Sequence, residues 1–155
     1  MGEYKSATKP GKISRVIDFG RRYIDYRMGF AGAIVMAAVV FSINYFGTHL
    51  LTGSLTAALK QGTYTFFFGG VIMRMSERIA VGIRRRLLAL ALACIIPSTV
   101  SLLLTFGLHN LKGTPEPLKS TIPTAFFVIP STLVWGRMKR KKEDTKINLQ
   151  TNGGE

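Results

Sequence analysis

A chain of 155 residues with 47% hydrophobic and 19% charged residues fits one domain, and neither share separates a soluble protein from a membrane protein. The net charge of +13 would suit a nucleic-acid binder, but the placement of the charges argues against that class and for membrane topology. Between Arg27 and Arg74 the only charged residue is Lys60, and between Arg86 and Lys112 there is none, so these stretches lack the polar face that a helix in water needs.

From Ile13 to Arg27, apolar or aromatic residues (Ile13, Val16, Ile17, Phe19, Tyr23, Ile24, Tyr26) recur at spacings of mostly three and four among arginines. This predicts an amphipathic helix, either lying on the cytoplasmic leaflet with its arginines toward lipid phosphates or docked on the bundle or a partner. No cleavable signal peptide is expected, since roughly 28 polar and basic residues precede the first apolar run, which is itself too long for an h-region. The first span is then its own targeting signal.

Gly29 to Leu51 gives 23 residues without a charge and Leu87 to Leu108 gives 22, each enough to cross about 30 Å of hydrocarbon at about 1.5 Å per residue. Two weaker segments alternate with them. Leu55 to Met75 contains Lys60 and Gln61, and Leu118 to Met138 contains Lys119, Pro123 and Pro130. Both count as spans, because Phe66 to Met73 and Ala125 to Trp135 would otherwise stay exposed, and a lysine near a helix end can snorkel to the interface.

Four spans place 18 of the 21 basic residues on one side, leaving Lys60, Lys112 and Lys119 on the other. This positive-inside pattern puts both termini in the cytoplasm and the protein in the plasma (inner) membrane. The expected fold class is an all-α integral membrane protein with four transmembrane helices. Its expected parts are a basic amphipathic segment (1–28), a first hairpin (29–75), a basic linker (76–86), a second hairpin (87–138) and a basic tail (139–155) that is disordered from Glu143. Cys94 is the sole cysteine and sits within the third span, where a small packing residue is expected rather than a disulfide or metal ligand.

The two hairpins resemble one another. Phe46 to Ser54 (FGTHLLTGS) matches Phe106 to Thr114 (FGLHNLKGT) at five of nine positions, including both histidines of the chain. At an offset of 59, Leu59-Lys60, Thr65 and Phe67-Phe68 lie over Leu118-Lys119, Thr124 and Phe126-Phe127. A tandem repeat of two helical hairpins follows, related about an axis along the membrane normal. Gly53 and Gly113 are expected to end the outer turns, Ser54 and Thr114 to act as N-caps, and Pro115 to take the first helical position, so that the return helices begin near residues 55 and 115.

His49 with Lys60, and His109 with Lys119, then form two related clusters at the outer interface. A lysine near a helix N-terminus opposes the dipole unless an anion binds there, which makes an anionic lipid headgroup the natural ligand. The alternative is histidines at helix ends and lysines snorkelling outward. Gln61, Tyr64 and Thr65, with Thr63, form a polar stripe opposite Ser120 and Thr124, with Thr121, and would line a shallow polar cavity or bond between helices. Small residues at helical spacing (Gly29, Ala33, Ala37; Ala58, Gly62, Thr65, Gly69; Ala89, Ala93) predict packing seams. Pro97, Pro123 and Pro130 predict bends, with Ser98, Thr99, Ser131 and Thr132 satisfying the freed carbonyls.

No Asp or Glu lies within a proposed span, which disfavours a proton- or cation-coupled exchanger built on a buried carboxylate. There is no Walker loop, zincin motif or nucleophile elbow, so no enzyme, cofactor or metal site is expected. The leading expectation is a multi-pass protein binding anionic lipid or lipid-linked headgroups at its outer face, as a small transporter or flippase. The competing one is a non-catalytic accessory or scaffold subunit of a larger membrane complex. Expected partners are membrane lipids and a homo-oligomer or larger complex, without nucleic acid.

Overall fold

The structure is a computed structural model that describes residues 12–113 and 115–152, with the side chains of residues 12–16, 19, 120 and 152 outside the description. The described chain is all-helical, without strands. Helix α1 (Lys12–Tyr23) stops short of the predicted Arg27. The reason is Asp25, whose extended backbone and carboxylate cap α2 (Tyr26–Thr48) by accepting the Met28 N–H at 3.1 Å. Of the predicted amphipathic stripe, Ile13, Val16 and Phe19 have side chains outside the description.

The first of the two predicted outer turns is tighter than expected. His49 takes a left-handed conformation (φ 54°) and donates its N–H to the Tyr45 carbonyl at 2.8 Å, so α3 (Leu51–Tyr64) starts at once behind Leu50. Gly53 therefore lies inside a helix, and Ser54 is not a cap. Its buried hydroxyl donates back to the Leu50 carbonyl at 2.8 Å. Helix α3 runs through one π-helical stretch (Thr65–Gly69) into α4 (Gly70–Gly82), and together they make one rod about 48 Å long.

After Ile83–Arg85, α5 (Arg86–Leu111) passes through Pro97 without interruption. The second turn is longer, with Gly113 at φ 65°, and α6 (Pro117–Asn152) begins with Pro117, not Pro115, at the first helical position. Thr114 lies outside the described residues. Helix α6 continues to Asn152, which corrects the expected disorder from Glu143. Beyond the apolar stretch it is held by local pairs, Arg140–Asp144 at 3.0 Å and Lys146–Glu143 at 3.7 Å.

The matched segments of the predicted repeat do not share a conformation. His49 caps a helix where His109 lies within one, and Gly53 is helical where Gly113 makes a turn. Identity at these positions does not give a shared backbone path.

Helices α2 and α3 pack as a hairpin, α5 and α6 as another, and α4 lies against α5 and α6. The predicted small-residue seams are the contact lines. A Cβ on Gly29 would stand 2.5 Å from the Phe66 carbonyl oxygen, and one on Gly62 would stand 3.3 Å from Ala37 Cβ. Gly136 faces Ala93, Ser76 and Ala80. The two hairpins are staggered along the rod. Helix α2 begins level with Gly70, where the Asp25 N–H meets the Gly70 carbonyl at 2.9 Å, about 18 Å short of Gly82. At the other end Lys112 Nζ rests 5.0 Å from the Tyr64 ring, well below the start of α3. Among the described residues two helices, α2 and α5, are long and apolar enough to cross a membrane.

Candidate functional site

The predicted outer clusters come out unlike one another. His49 is exposed at the end of α2, its ring edge-on to Tyr45 at 6.1 Å. Because α3 starts at Leu51, Lys60 lies about 14 Å along the helix, beyond the first two turns that an anion at the helix end would use. His109 is half-buried in the last turn of α5. Lys119, in the first turn of α6, is paired with Glu116 at 2.6 Å, with both side chains largely exposed. Lys60 thus stands apart from the end of α2 that holds His49, and Lys119 bonds to Glu116.

Of the polar stripe, Gln61 Nε2 reaches Thr65 Oγ1 at 3.4 Å on its own helix. Tyr64 is exposed beneath Lys112, Thr124 is half-buried, and the Ser120 side chain is outside the description. Thr63 and Thr121 donate to the carbonyls four residues back. These hydroxyls are spent on their own helices.

Polar side chains do converge in the α4–α5–α6 seam. The buried Ser76 Oγ donates to the Thr132 carbonyl at 3.1 Å, and Ser98 and Thr132 hydroxyls share a bond of 3.0 Å. Thr132 also donates to the Val128 and Ile129 carbonyls. Ser98 was expected to satisfy a carbonyl freed by Pro97, yet it ties α5 to α6 instead. Each member has a partner, so the cluster reads as packing.

The described chain opens instead at its basic end, in a cleft of about 450 Å³ between α4 and α6. Helix α4 supplies Arg74, Glu77 and Arg78, and α6 supplies Lys139, Lys142 and Lys146. Glu77 accepts from Arg74 Nη1 at 3.1 Å and pairs with Lys139 Nζ at 3.0 Å, fixing the cleft floor. Arg74 Nη2 and Arg78 Nη2 donate to the carbonyls of Arg21 and Arg22 at 3.0 and 2.6 Å, completing the open end of α1. Arg78 also lies over the Tyr23 ring at 5.6 Å. Helix α1 is thus docked on the bundle by its C-terminus. Lys139 Nζ sits 4.5 Å over the Trp135 ring. The buried Nε of Arg74 and Nε1 of Trp135 have no hydrogen-bond partner. With Glu143 included, five cations face two carboxylates.

One turn away, Arg140 donates to the carbonyls of Ala80, Ile83 and Arg84 while pairing with Asp144. It closes the open end of α4 and pins the α4–α5 linker to α6. In the sequence all these cations count as topology charge. The available signal was spacing, since 74, 77 and 78 share a face of one helix, as do 139, 142 and 146 of another.

Among the described residues no group of three His, Cys, Asp or Glu could hold a metal ion. Comparison with protein-family models, curated proteins and solved structures finds no match for the chain.

Proposed function

We propose that the protein crosses the bilayer four times with its basic end in the cytoplasm, and that it serves without catalysis as an accessory or scaffold subunit of a larger membrane assembly. One observation carries this reading: among the described residues the buried apolar core is mostly alanine, beside Ile72 and Met73, while many large apolar side chains face outward. Ala58, Ala80, Ala89 and Ala93 are buried, whereas Phe46, Leu59, Phe67, Leu103, Ile122 and Phe126 are exposed, with members on every long helix. Only 6% of the most apolar window of α2 and 22% of that of α5 are buried, unlike the core helices of a soluble domain. Water would penalise such a surface, while hydrocarbon tolerates it and small residues let helices approach closely.

Topology is tested in a Cys94→Ala background carrying Thr52→Cys, Lys112→Cys or Lys142→Cys singly. A membrane-impermeant maleimide should reach the first two from outside and the third from the cytoplasmic side. Labelling of 52 and 112 from opposite sides would refute four crossings. The accessory role is tested by photo-crosslinking from Phe46 and Phe126 in native membranes. Discrete protein adducts are expected, and lipid adducts alone would sink the reading.

A second reading, binding of anionic headgroups at the outer face by His49, Lys60, His109 and Lys119, is favoured by one contact. Lys112 over Tyr64 brings the second turn level with the polar part of α3 that holds Lys60 and Gln61. Lys60→Gln combined with Lys119→Gln should then reduce the phospholipid retained on purification. Unchanged retention would leave the accessory reading alone.

A further inference from the structure

We propose that the cleft between α4 and α6 is a binding site for a phosphate group, carried by an anionic lipid headgroup or by a soluble phosphate. Three features of the cleft point to that chemistry. Its walls carry Arg74, Arg78, Lys139, Lys142 and Lys146 against Glu77 and Glu143, an excess of three positive charges in about 450 Å³, which suits a compact anion and repels a cation. The carboxylates are committed: Glu77 to Arg74 and Lys139, and Glu143 to Lys146 at 3.7 Å. Lys142 is exposed on the wall, and among the described residues no ion pair occupies it. A phosphate oxygen is the acceptor that guanidinium and ammonium donors match best.

The position also suits a lipid source. Trp135, the sole tryptophan, lies under Lys139 where the apolar part of α6 gives way to its basic part, as indoles do at a membrane interface. A phosphate drawn to Lys139 changes the surroundings of that indole, so Trp135 fluorescence reports occupancy directly. The site is independent of the accessory reading, since it needs no protein partner.

The experiment follows Trp135 emission of the full chain in phosphatidylcholine nanodiscs. Phosphatidic acid is titrated in one arm, inorganic phosphate in a second and a polyglutamate peptide in a third. A saturable change with phosphatidic acid is expected, identifying the lipid source; a change with inorganic phosphate alone supports a soluble source. Lys142→Gln with Lys146→Gln should weaken the response about tenfold or more, since each lysine removed is a charge-assisted donor to a phosphate held in the cleft. Arg137→Gln with Lys141→Gln removes equal charge from the same helix outside the cleft and should leave it unchanged. Equal weakening by both pairs, a response only to polyglutamate, or no response in any arm overturns the proposal. Circular dichroism of both variants confirms that helix content is retained.

Discussion

Arg140 makes more connections than any other charged side chain of the described bundle, and its value should be measurable. Its guanidinium is mostly buried, and it bonds to three backbone carbonyls that would otherwise end α4 and the following linker without donors. Hydrogen bonds from a charged donor contribute roughly 1.5–3 kcal/mol each when buried, and partial exposure here keeps the total near the upper end of one. Arg140→Met should therefore cost about 2–3 kcal/mol, read as thermal unfolding in detergent, while the exposed Lys141→Met should cost nothing measurable. Arg140→Lys should recover less than half, because one ammonium cannot span three carbonyls. The Ser98–Thr132 pair behaves differently. The Thr132 hydroxyl has the Val128 and Ile129 carbonyls within reach as substitutes, so a double-mutant cycle of Ser98→Ala and Thr132→Val should give a coupling of only about 0.5–1 kcal/mol. A coupling above about 2 kcal/mol would mean the cluster is more than packing.

At the scale of elements, the α2–α3 seam depends on backbone contact at Gly29 and on nothing at Gly47. An added Cβ at Gly29 meets the Phe66 carbonyl inside the π-helical stretch, whereas at Gly47 it meets open space. Gly29→Ala should destabilise by about 1–3 kcal/mol through overpacking, and Gly47→Ala should stabilise by roughly 0.5–1 kcal/mol through reduced chain entropy. Thermal unfolding in one detergent resolves the opposite signs. The seams themselves were legible in the sequence, because small residues three and four apart have few other uses in apolar helices. The turns were not. A glycine at 53 invites a turn, yet His49 accepts the left-handed cap four residues earlier, and no local signal ranks those two options. The π-helical stretch was equally hidden, and Gly29, the α2 residue that meets it at Phe66, lies far from it in the sequence. The helical end of α6 was misread because its charges look disordered until their spacing of three and four is set on a helix. The cleft was missed for a related reason: charges counted by loop lose the helical faces that bring them together.

At the scale of the molecule, with the four crossings proposed above, the stagger of the hairpins sets how the protein would lie in a bilayer. The apolar run of α2 starts level with Gly70, while that of α5 starts beside the Gly82 end of the same rod, an offset of about 18 Å along it. Held upright, a hydrocarbon layer of about 30 Å would cover one run and leave much of the other in water. The α2 run packs on α3 and the π-helical stretch, and the α5 run packs on α4 and α6. Inclining the rod shortens its projection of about 48 Å toward the thickness available. The expected tilt of α3–α4 is well above the average of about 20° for membrane helices. Polarised infrared dichroism or oriented solid-state NMR of the protein in aligned bilayers measures it. A rod within about 20° of the normal would show that the hairpins slide into register in the membrane. The contact of Lys112 with Tyr64 would then be lost, and with it the observation that favours a polar site at the outer face.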